Sequence, residues 1–388
     1  MTSITMTPIA TTADLEVLCK DLASAEFLTV DTEFMREQTY YPNLCLIQVA
    51  GPEHEATIDP LSPQLDLKPF WELMAAPDQV KVFHAARQDL EIFHILGGLI
   101  PRPVFDTQVA AMVCGFGDQI SYVNLVRSIS GAELDKSSRF TDWSKRPLSD
   151  KQLQYAIGDV THLRDVYRRL SAQLTKTGRE SWLNEEMATL TDPATYQQDP
   201  ELAWQRLKLK VKNRRALAVL MSLAAWRERA AQKQNVPRQR IMRDDALYDI
   251  ANQSPRTTAD LGGLRSLPDG FSRSSRAKDI VAAVEEGLAR DMANVPALRQ
   301  GQPLTAEATA TLELLKVLLK AAAARHGVAP RMIADASDLE ELARHAEPDT
   351  PALKGWRREL FGADALSLKR GELALTLKDG DVVVMKVS

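Results

Sequence analysis

Cysteine is scarce in this sequence, and no apolar run is long. The three cysteines, Cys19, Cys45 and Cys114, are scattered, odd in number and include no CxxC pair. That excludes a disulfide framework and a cysteine-built zinc site, and it fits a reducing cytoplasm. The longest apolar runs, such as Leu314–Leu319, fall far short of a membrane span, so no membrane partner is expected. The N-terminus shows no basic stretch leading into an apolar one, so no signal peptide is expected and the location reads as cytoplasmic.

With 388 residues the chain is too long for one ordinary core and implies two or three domains. Its net charge of −4 hides an asymmetry: residues 1–170 carry 15 Lys/Arg against 23 Asp/Glu, whereas residues 201–290 carry 18 against 10. An acidic first half beside a basic middle reads as a catalytic domain next to a polyanion-binding one. A solvated helical surface accounts for the charge alone equally well.

Strand and helix signals alternate over the first 170 residues. Phe27–Thr32, Leu44–Ala50, Ala56–Asp59 and Lys81–His84 are short apolar or β-branched runs. Helical spacing marks 85–96, 107–114, 122–129 and 149–174, the last with Ser149 as N-cap and Gln152 three residues on. Strands followed by helices predict an α/β domain with a mixed sheet. From Glu201 the pattern is helical: 204–210, 214–235, 244–253, 258–266 and 275–290, then, after a Pro/Gly break, 306–326, 331–334, 337–343 and 350–361. The two sets share a plan of long helix, Val-Pro or Val-Ala-Pro loop and Arg-rich short helix, which suggests a diverged duplication. An Asp-Gly turn between Leu373–Leu377 and Val382–Val387 predicts a C-terminal β-hairpin. The expected division is 1–175 catalytic, 176–200 linker, 201–293 first helical domain, and 294–388 second helical domain with the hairpin.

Four acids carry the chemistry. Asp31 and Glu33 stand at i and i+2 on a strand, so both side chains leave the same face roughly 7 Å apart along it. Asp89 follows the Lys81–His84 strand on the next helix and approaches from the other side. Asp159 lies on the long helix with Tyr155 one turn earlier. Each motif alone is common; their order and settings together are not. A cluster of formal charge −4 requires cations, and carboxylate oxygens without soft ligands select Mg²⁺ or Mn²⁺ over zinc. Two such ions about 3.5–4 Å apart hold both sides of an in-line phosphoryl transfer. Tyr155, protonated at neutral pH, would orient the attacking water.

The constellation resembles the tyrosine branch of the DEDD superfamily of 3′→5′ exonucleases, and within it the ribonuclease D family across nearly the whole chain. Val30-Asp-Thr-Glu-Phe34, His84-Ala-Ala-Arg-Gln-Asp89 and Tyr155-Ala-Ile-Gly-Asp159 resemble its three motifs, and Phe105-Asp-Thr107 looks like the segment that follows the second. The two helical sets resemble HRDC domains, modules that bind nucleic acid. The resemblance implies a ribonuclease H-like exonuclease domain followed by two all-α HRDC bundles. It implies that Asp31, Glu33 and Asp159 hold one divalent metal ion and that Asp31 with Asp89 holds a second. The implied partner is RNA with an accessible 3′ end, notably transfer RNA precursors and small structured RNAs, cut to nucleoside 5′-monophosphates by a monomer. The sister branch uses His-x4-Asp in its third motif, a spacing that His84 and Asp89 share. That role would require Asp59 as an acid and would leave Asp106 and Asp159 idle.

Further residues take functional or structural roles. Phe34 and Met35 would wedge against terminal bases or line the sheet edge. His84 would touch a phosphate or serve as a core or capping histidine. Gln88 would help position substrate, and Arg36 would contact phosphate or stay solvated. Asp106 is an N-cap before it is a further acid of the site, and Tyr40 and Tyr41 pack a hairpin. Lys208, Lys210, Lys212, Arg214 and Arg215, with Arg206 and the interleaved Trp204, form a phosphate-contacting stretch or a plain basic helix. Trp226 reads as core. Two other functions compete with exoribonuclease: a DNA 3′→5′ exonuclease, since the acids do not read the sugar, and a non-catalytic RNA-binding protein.

Overall fold

A computed structural model describes residues 7–135, 137–138, 140–208, 210–298 and 303–387. Its strands are β1 (Phe27–Met35), β2 (Asn43–Ala50), β3 (Glu55–Ile58), β4 (Val80–Phe83) and β5 (Val104–Asp106), in one mixed sheet of order β3-β2-β1-β4-β5. β4 runs parallel to β1 and β5, while β2 and β3 are antiparallel. Central β1 is buried from Phe27 to Val30, as a strand covered on both faces must be. The helices α1 (Thr12–Leu22), α2 (Lys68–Ala75), α3 (Arg87–Ile92), α4 (Thr107–Val113), α5 (Tyr122–Ser130), α6 (Asp150–Thr177) and α7 (Glu180–Leu190) pack with this sheet.

Local chemistry sets the boundaries. The Ser149 hydroxyl accepts from Gln152 N at 3.3 Å and Ser149 N donates to Gln152 Oε1 at 3.1 Å, the reciprocal cap anticipated for α6. α3 starts at Arg87, two residues later than the periodicity suggests, because Ala85 adopts a left-handed φ of 61°. α3 then runs through a π-turn, Phe93–Gly97, and stops at Gly98 in the left-handed region. The residues expected as a linker contain α7.

Farther on lie α8 (Arg214–Gln234), α9 (Arg238–Ile241), α10 (Asp244–Gln253), α11 (Thr258–Leu261) and α12 (Ser275–Ala289). The helix expected over 204–210 is instead a 3-10 turn at Pro200–Arg206, started by Asp199 and Pro200, after which Leu207 is extended; Leu209 lies outside the described residues. The C-terminal helices are α13 (Ala306–His326), α14 (Pro330–Ile333), α15 (Ala336–Arg344), α16 (Gly355–Arg357) and α17 (Ala363–Lys369). In place of one helix over 350–361 the chain makes a 3-10 turn, α16 and a π-turn, broken at Gly355 by its φ of 48°. The hairpin β6 (Leu373–Lys378) and β7 (Asp381–Lys386) turns through Asp379 and Gly380, both at positive φ, as its Asp-Gly pair requires.

The chain forms two compact units. The first joins the sheet and α1–α7 to α13–α17 and the hairpin. There the Trp182 and Trp356 rings stack at 4.2 Å, and Arg357 pairs with Glu185 at 2.7 Å and Glu186 at 2.5 Å. Ala329 N donates to Met112 O at 2.8 Å, and a Cβ on Gly115 would stand 2.6 Å from the Gly327 carbonyl oxygen. The C-terminal segment, from Pro303 on, thus belongs to the unit of the sheet and packs against α7 and the end of α4. The second unit joins Phe34–Asn43 to α8–α12 around Leu220, Leu223, Leu247, Ile250, Ile280 and Val284. Trp226 packs partly buried against that core.

Within the second unit α12 crosses α8 at Gly287, where a Cβ would meet Val219 Cα at 2.5 Å and the Ala218 carbonyl oxygen at 2.9 Å. Helix propensity favours alanine there by about 0.5–1 kcal/mol, but backbone atoms cannot step aside. Gly287→Ala should destabilise this unit by about 1–3 kcal/mol in urea unfolding. Gly158→Ala, also mid-helix but with nothing within 4 Å of its Cβ, should instead gain about 0.5–1 kcal/mol. Equal effects of the two substitutions would contradict the close crossing.

Candidate active site

Asp31 and Glu33 sit on the part of β1 that extends beyond its parallel ladder with β4, whose last pair is Thr29 with Val82. α6 is registered against this strand by Thr29, whose buried hydroxyl lies 2.8 Å from the Val160 carbonyl oxygen and 3.2 Å from that of Ala50. Val160 follows Asp159, so this bond sets the third acid opposite the first two. Ligand oxygens of Asp31, Glu33 and Asp159 lie within 4.8 Å of one another, each residue half-buried. All are hard oxygen donors at a spacing one divalent cation can bridge after small side-chain adjustments, so the residues fit a metal centre of that kind.

Asp89 stands in the first turn of α3, 6% exposed, and accepts the Thr32 hydroxyl at 2.5 Å. Burial pushes its carboxyl well above the usual range, and the neighbouring Asp31 charge adds to the rise. Asp31 itself is pushed up to about 7 by burial, partly offset by the Thr32 amide. Carboxylates crowded together and withdrawn from water keep their protons to higher pH than usual.

Tyr155 lies one turn before Asp159, with the buried Trp143 ring 6.1 Å away and tilted by 36°. The backbone of Trp143 is fixed through Arg146, which donates to its carbonyl oxygen at 2.8 Å and also holds Asp59 with two N–H groups, at 2.7 and 2.6 Å. Asp59 is therefore occupied by an arginine and stands outside the acid cluster. Asp106 is the N-cap of α4, accepting from Gln108 N at 2.8 Å and, across the turn after β4, from Ala85 N at 3.1 Å and Ala86 N at 2.8 Å. His84 Nδ1 is 3.0 Å from the Thr107 hydroxyl, and burial lowers its pKa, so the ring is neutral.

Sequence reasoning missed Thr29, Thr32 and Tyr122. The Tyr122 hydroxyl donates to the Gly158 carbonyl oxygen at 3.1 Å, beside Asp159. Burial, then the charges of Asp159 and Asp31, keep that phenol protonated. Threonine on a strand is too common to signal such a role, and Tyr122 becomes relevant only once α5 packs against α6. A cavity of about 160 Å³ opens beside the site, lined by Lys151, Gln154, Tyr155, Gly158, Asp159 and His162 among others.

The other candidates separate by environment. Gln88 is exposed on α3, while Phe34 and Met35 are half-buried at the tail of β1 and belong to the second unit. Lys208, Lys210 and Lys212 are exposed. Arg214 is turned onto the Met292 carbonyl oxygen at 2.6 Å and onto that of Val295, and Arg215 onto Leu288 O at 2.7 Å. Arg206 pairs with Glu228 at 2.9 Å. Tyr40 and Tyr41, expected to pack a hairpin, instead join Ala231 and Ile241 in a small core of the helical unit.

Residues 6–175 match the family model for a 3′-5′ exonuclease, and residues 216–284 match that of the HRDC domain. The ribonuclease D of Nitrobacter hamburgensis is 53% identical over 97% of this chain and 98% of its own. That of Jannaschia sp. is 50% identical over 98% of this chain and 99% of its own. The crystal structure of Escherichia coli RNase D, described as an exoribonuclease involved in structured RNA processing, superposes with a TM-score of 0.80 at 28% identity, covering 95% of this chain and 99% of that one. With half of its residues shared along nearly the full length of such relatives, the chain belongs to the ribonuclease D family.

Proposed function

We infer that the protein is a metal-dependent 3′→5′ exoribonuclease that hydrolyses the terminal phosphodiester bond of RNA and releases nucleoside 5′-monophosphates. The observation that carries this reading is the convergence of Asp31, Glu33 and Asp159 within 4.8 Å in a chain of the ribonuclease D family. In the proposed two-metal arrangement Asp31, Glu33 and Asp159 hold one Mg²⁺ or Mn²⁺ ion, and Asp31 with Asp89 holds the other. Bound ions of this kind supply Lewis-acid stabilisation of the reacting phosphate and lower the pKa of water. Tyr155 keeps its proton and orients the attacking water by hydrogen bonding, as in the tyrosine branch of the superfamily. The place of Asp159 in the cluster and of Asp59 on Arg146 supports that branch over its histidine counterpart.

We further propose that 201–293 and 294–388 are two diverged HRDC copies behind a 1–175 exonuclease domain and a 176–200 connector. The exposed Lys208, Lys210 and Lys212 contact RNA phosphates, and Phe34, Met35, His84 and Gln88 line the path of the 3′ end. Transfer RNA precursors and small structured RNAs are the proposed substrates of a monomer in the cytoplasm.

The defining test is degradation of a 3′-tailed transfer RNA and a matched single-stranded DNA with Mg²⁺ or Mn²⁺ or with EDTA. RNA should shorten stepwise from its 3′ end, and both EDTA and Asp31→Asn should reduce the rate about a thousandfold or more, the loss of several kcal/mol of metal-derived stabilisation. Equal or faster loss of DNA would point to a DNA exonuclease, and no metal-dependent loss of either would leave a binding role. Tyr155→Phe should lower kcat about a hundredfold with little change in KM, since misplacing the attacking water by about 1 Å costs about that much. An unaltered kcat would remove Tyr155 from the reaction.

The raised pKa of Asp31 sets a pH dependence. Metal ligands must be deprotonated, so a proton on Asp31 competes with the ion below its pKa of about 7. Mn²⁺ affinity measured by titration calorimetry should therefore strengthen as pH rises from about 6 to about 8, by at most about tenfold per unit for each proton displaced, and level off above. A flat profile would contradict it.

A further inference from the structure

The stretch of β1 that bears Asp31 and Glu33 runs past its pairing with β4, which ends at Thr29. It is flanked by β2, and its own continuation, Phe34–Asn43, is part of the helical unit. Tyr40 and Asn235 tie that continuation to the helical unit. Tyr40, 4% exposed, donates its hydroxyl to Glu228 on α8, a carboxylate only 1% exposed. Arg238 grips the same carboxylate at 2.5 and 2.7 Å and lies over the Tyr40 ring at 4.7 Å, and Arg206 adds a third cationic contact. Burial raises the Glu228 carboxyl, but the hydrogen bonds from Arg238 and Tyr40 outweigh it and hold the pKa below the usual value, so it is ionised. Burial and Glu228 push Tyr40 up to about 12, so the phenol keeps the proton it donates. Asn235, the left-handed C-cap of α8, accepts the Tyr40 and Tyr41 amides on its side-chain oxygen at 3.1 and 3.0 Å.

A buried ion pair is weak evidence for stability and in some proteins fixes geometry instead; here Arg206 and Arg238 hold the Glu228 carboxylate that accepts the Tyr40 hydroxyl. Here the geometry fixed is that of the chain leaving Glu33, seven residues upstream of Tyr40 in the sequence. We propose that Tyr40 is a positioning residue for the metal-binding strand, with Glu228 and Asn235 of the helical unit as its anchor. Movement at the anchor changes where β1 presents Asp31 and Glu33, so the helical unit acts on metal affinity and turnover as well as on RNA binding. This inference rests on the exonuclease reading, yet its metal readout stands apart from activity.

Tyr40→Phe removes the hydroxyl while Glu228 keeps both arginines, so the fold is retained, as circular dichroism would verify. Asn235→Gly is the second variant: glycine keeps the left-handed φ of 48° and deletes the acceptor. For each, the full chain is assayed for kcat and KM on tailed RNA, and for Mn²⁺ affinity by electron paramagnetic resonance without RNA. The expected result is a kcat about tenfold lower, Mn²⁺ binding about threefold to tenfold weaker, and KM within about twofold of wild type, since a small misplacement of reacting groups costs rate before binding. Folded variants with wild-type Mn²⁺ affinity and kcat, or with a change confined to KM, overturn the proposal. A wild-type protein that binds Mn²⁺ but leaves RNA intact sinks the exonuclease reading instead, and the Mn²⁺ comparison still decides the role of Tyr40.

Discussion

Crowding carboxylates together, partly out of water, is the constraint around which the rest of the first unit is arranged. Asp31 and Asp89 both ionise with difficulty, first because they are buried and, for Asp89, because Asp31 is near. The folded value of Asp31 is about 7 against an ordinary 3.8. Between these two pH values the folded chain keeps a proton that the unfolded chain has released, so the metal-free fold loses stability as pH rises through that window. A bound cation would offset the burial that causes that loss. Until it does, the scaffold alone must hold the acids in place.

It does so with few bonds, each at a decisive point. Thr29 ties the strand of the first two acids to the carbonyl beside the third, and Thr32 holds Asp89 from the neighbouring position on the same strand. Asp106, opposite Phe83 in the β4–β5 register, caps α4 and binds the turn that leads into α3. α7 and the C-terminal helices brace the same unit through the Trp182–Trp356 stack and Arg357. Arg179 adds to this by donating to His326 O at 2.7 Å while lying 4.8 Å over the Trp182 ring. α13–α17 are committed in this way to the packing of the first unit.

Much of this could be read from the sequence wherever the chemistry is local. The i, i+2 acids of β1, the Ser149–Gln152 cap of α6 and the Asp-Gly hairpin each depend on residues a few positions apart. What lay beyond reading depends on residues that meet only on folding. β5 has three residues, too few to show an alternation. α1 and α2 were not anticipated, and α7 lies where a linker was expected. Tyr40 looked like a hairpin residue because its partner, Glu228, is 188 positions away. Asp31, Glu33 and Asp159 were legible as a set, whereas the Thr29 bond that joins strand to helix spans 131 positions and leaves no mark in the sequence.

In the basic middle segment a charge count does not say which cations are engaged within the unit and which face solvent. Several of its arginines are engaged within the unit. Arg206 and Arg238 are on Glu228, Arg227 on Asp244, Arg290 on Glu201, and Arg214, Arg215 and Arg276 on main-chain carbonyls. The planar fork of a guanidinium suits such multiple, directed bonds, while a lysine ammonium is a mobile point charge on a long stem. Lys208, Lys210 and Lys212 remain exposed on one stretch of chain. The long-range field toward a polyanion comes from every charge, paired or not, but close phosphate contacts and the ions they release fall to the exposed groups. If the proposed RNA contacts of these lysines hold, their substitution should flatten the salt dependence of RNA binding with the fold intact, whereas substitution of Arg227 or Arg238, paired inside the unit, would act first through the fold.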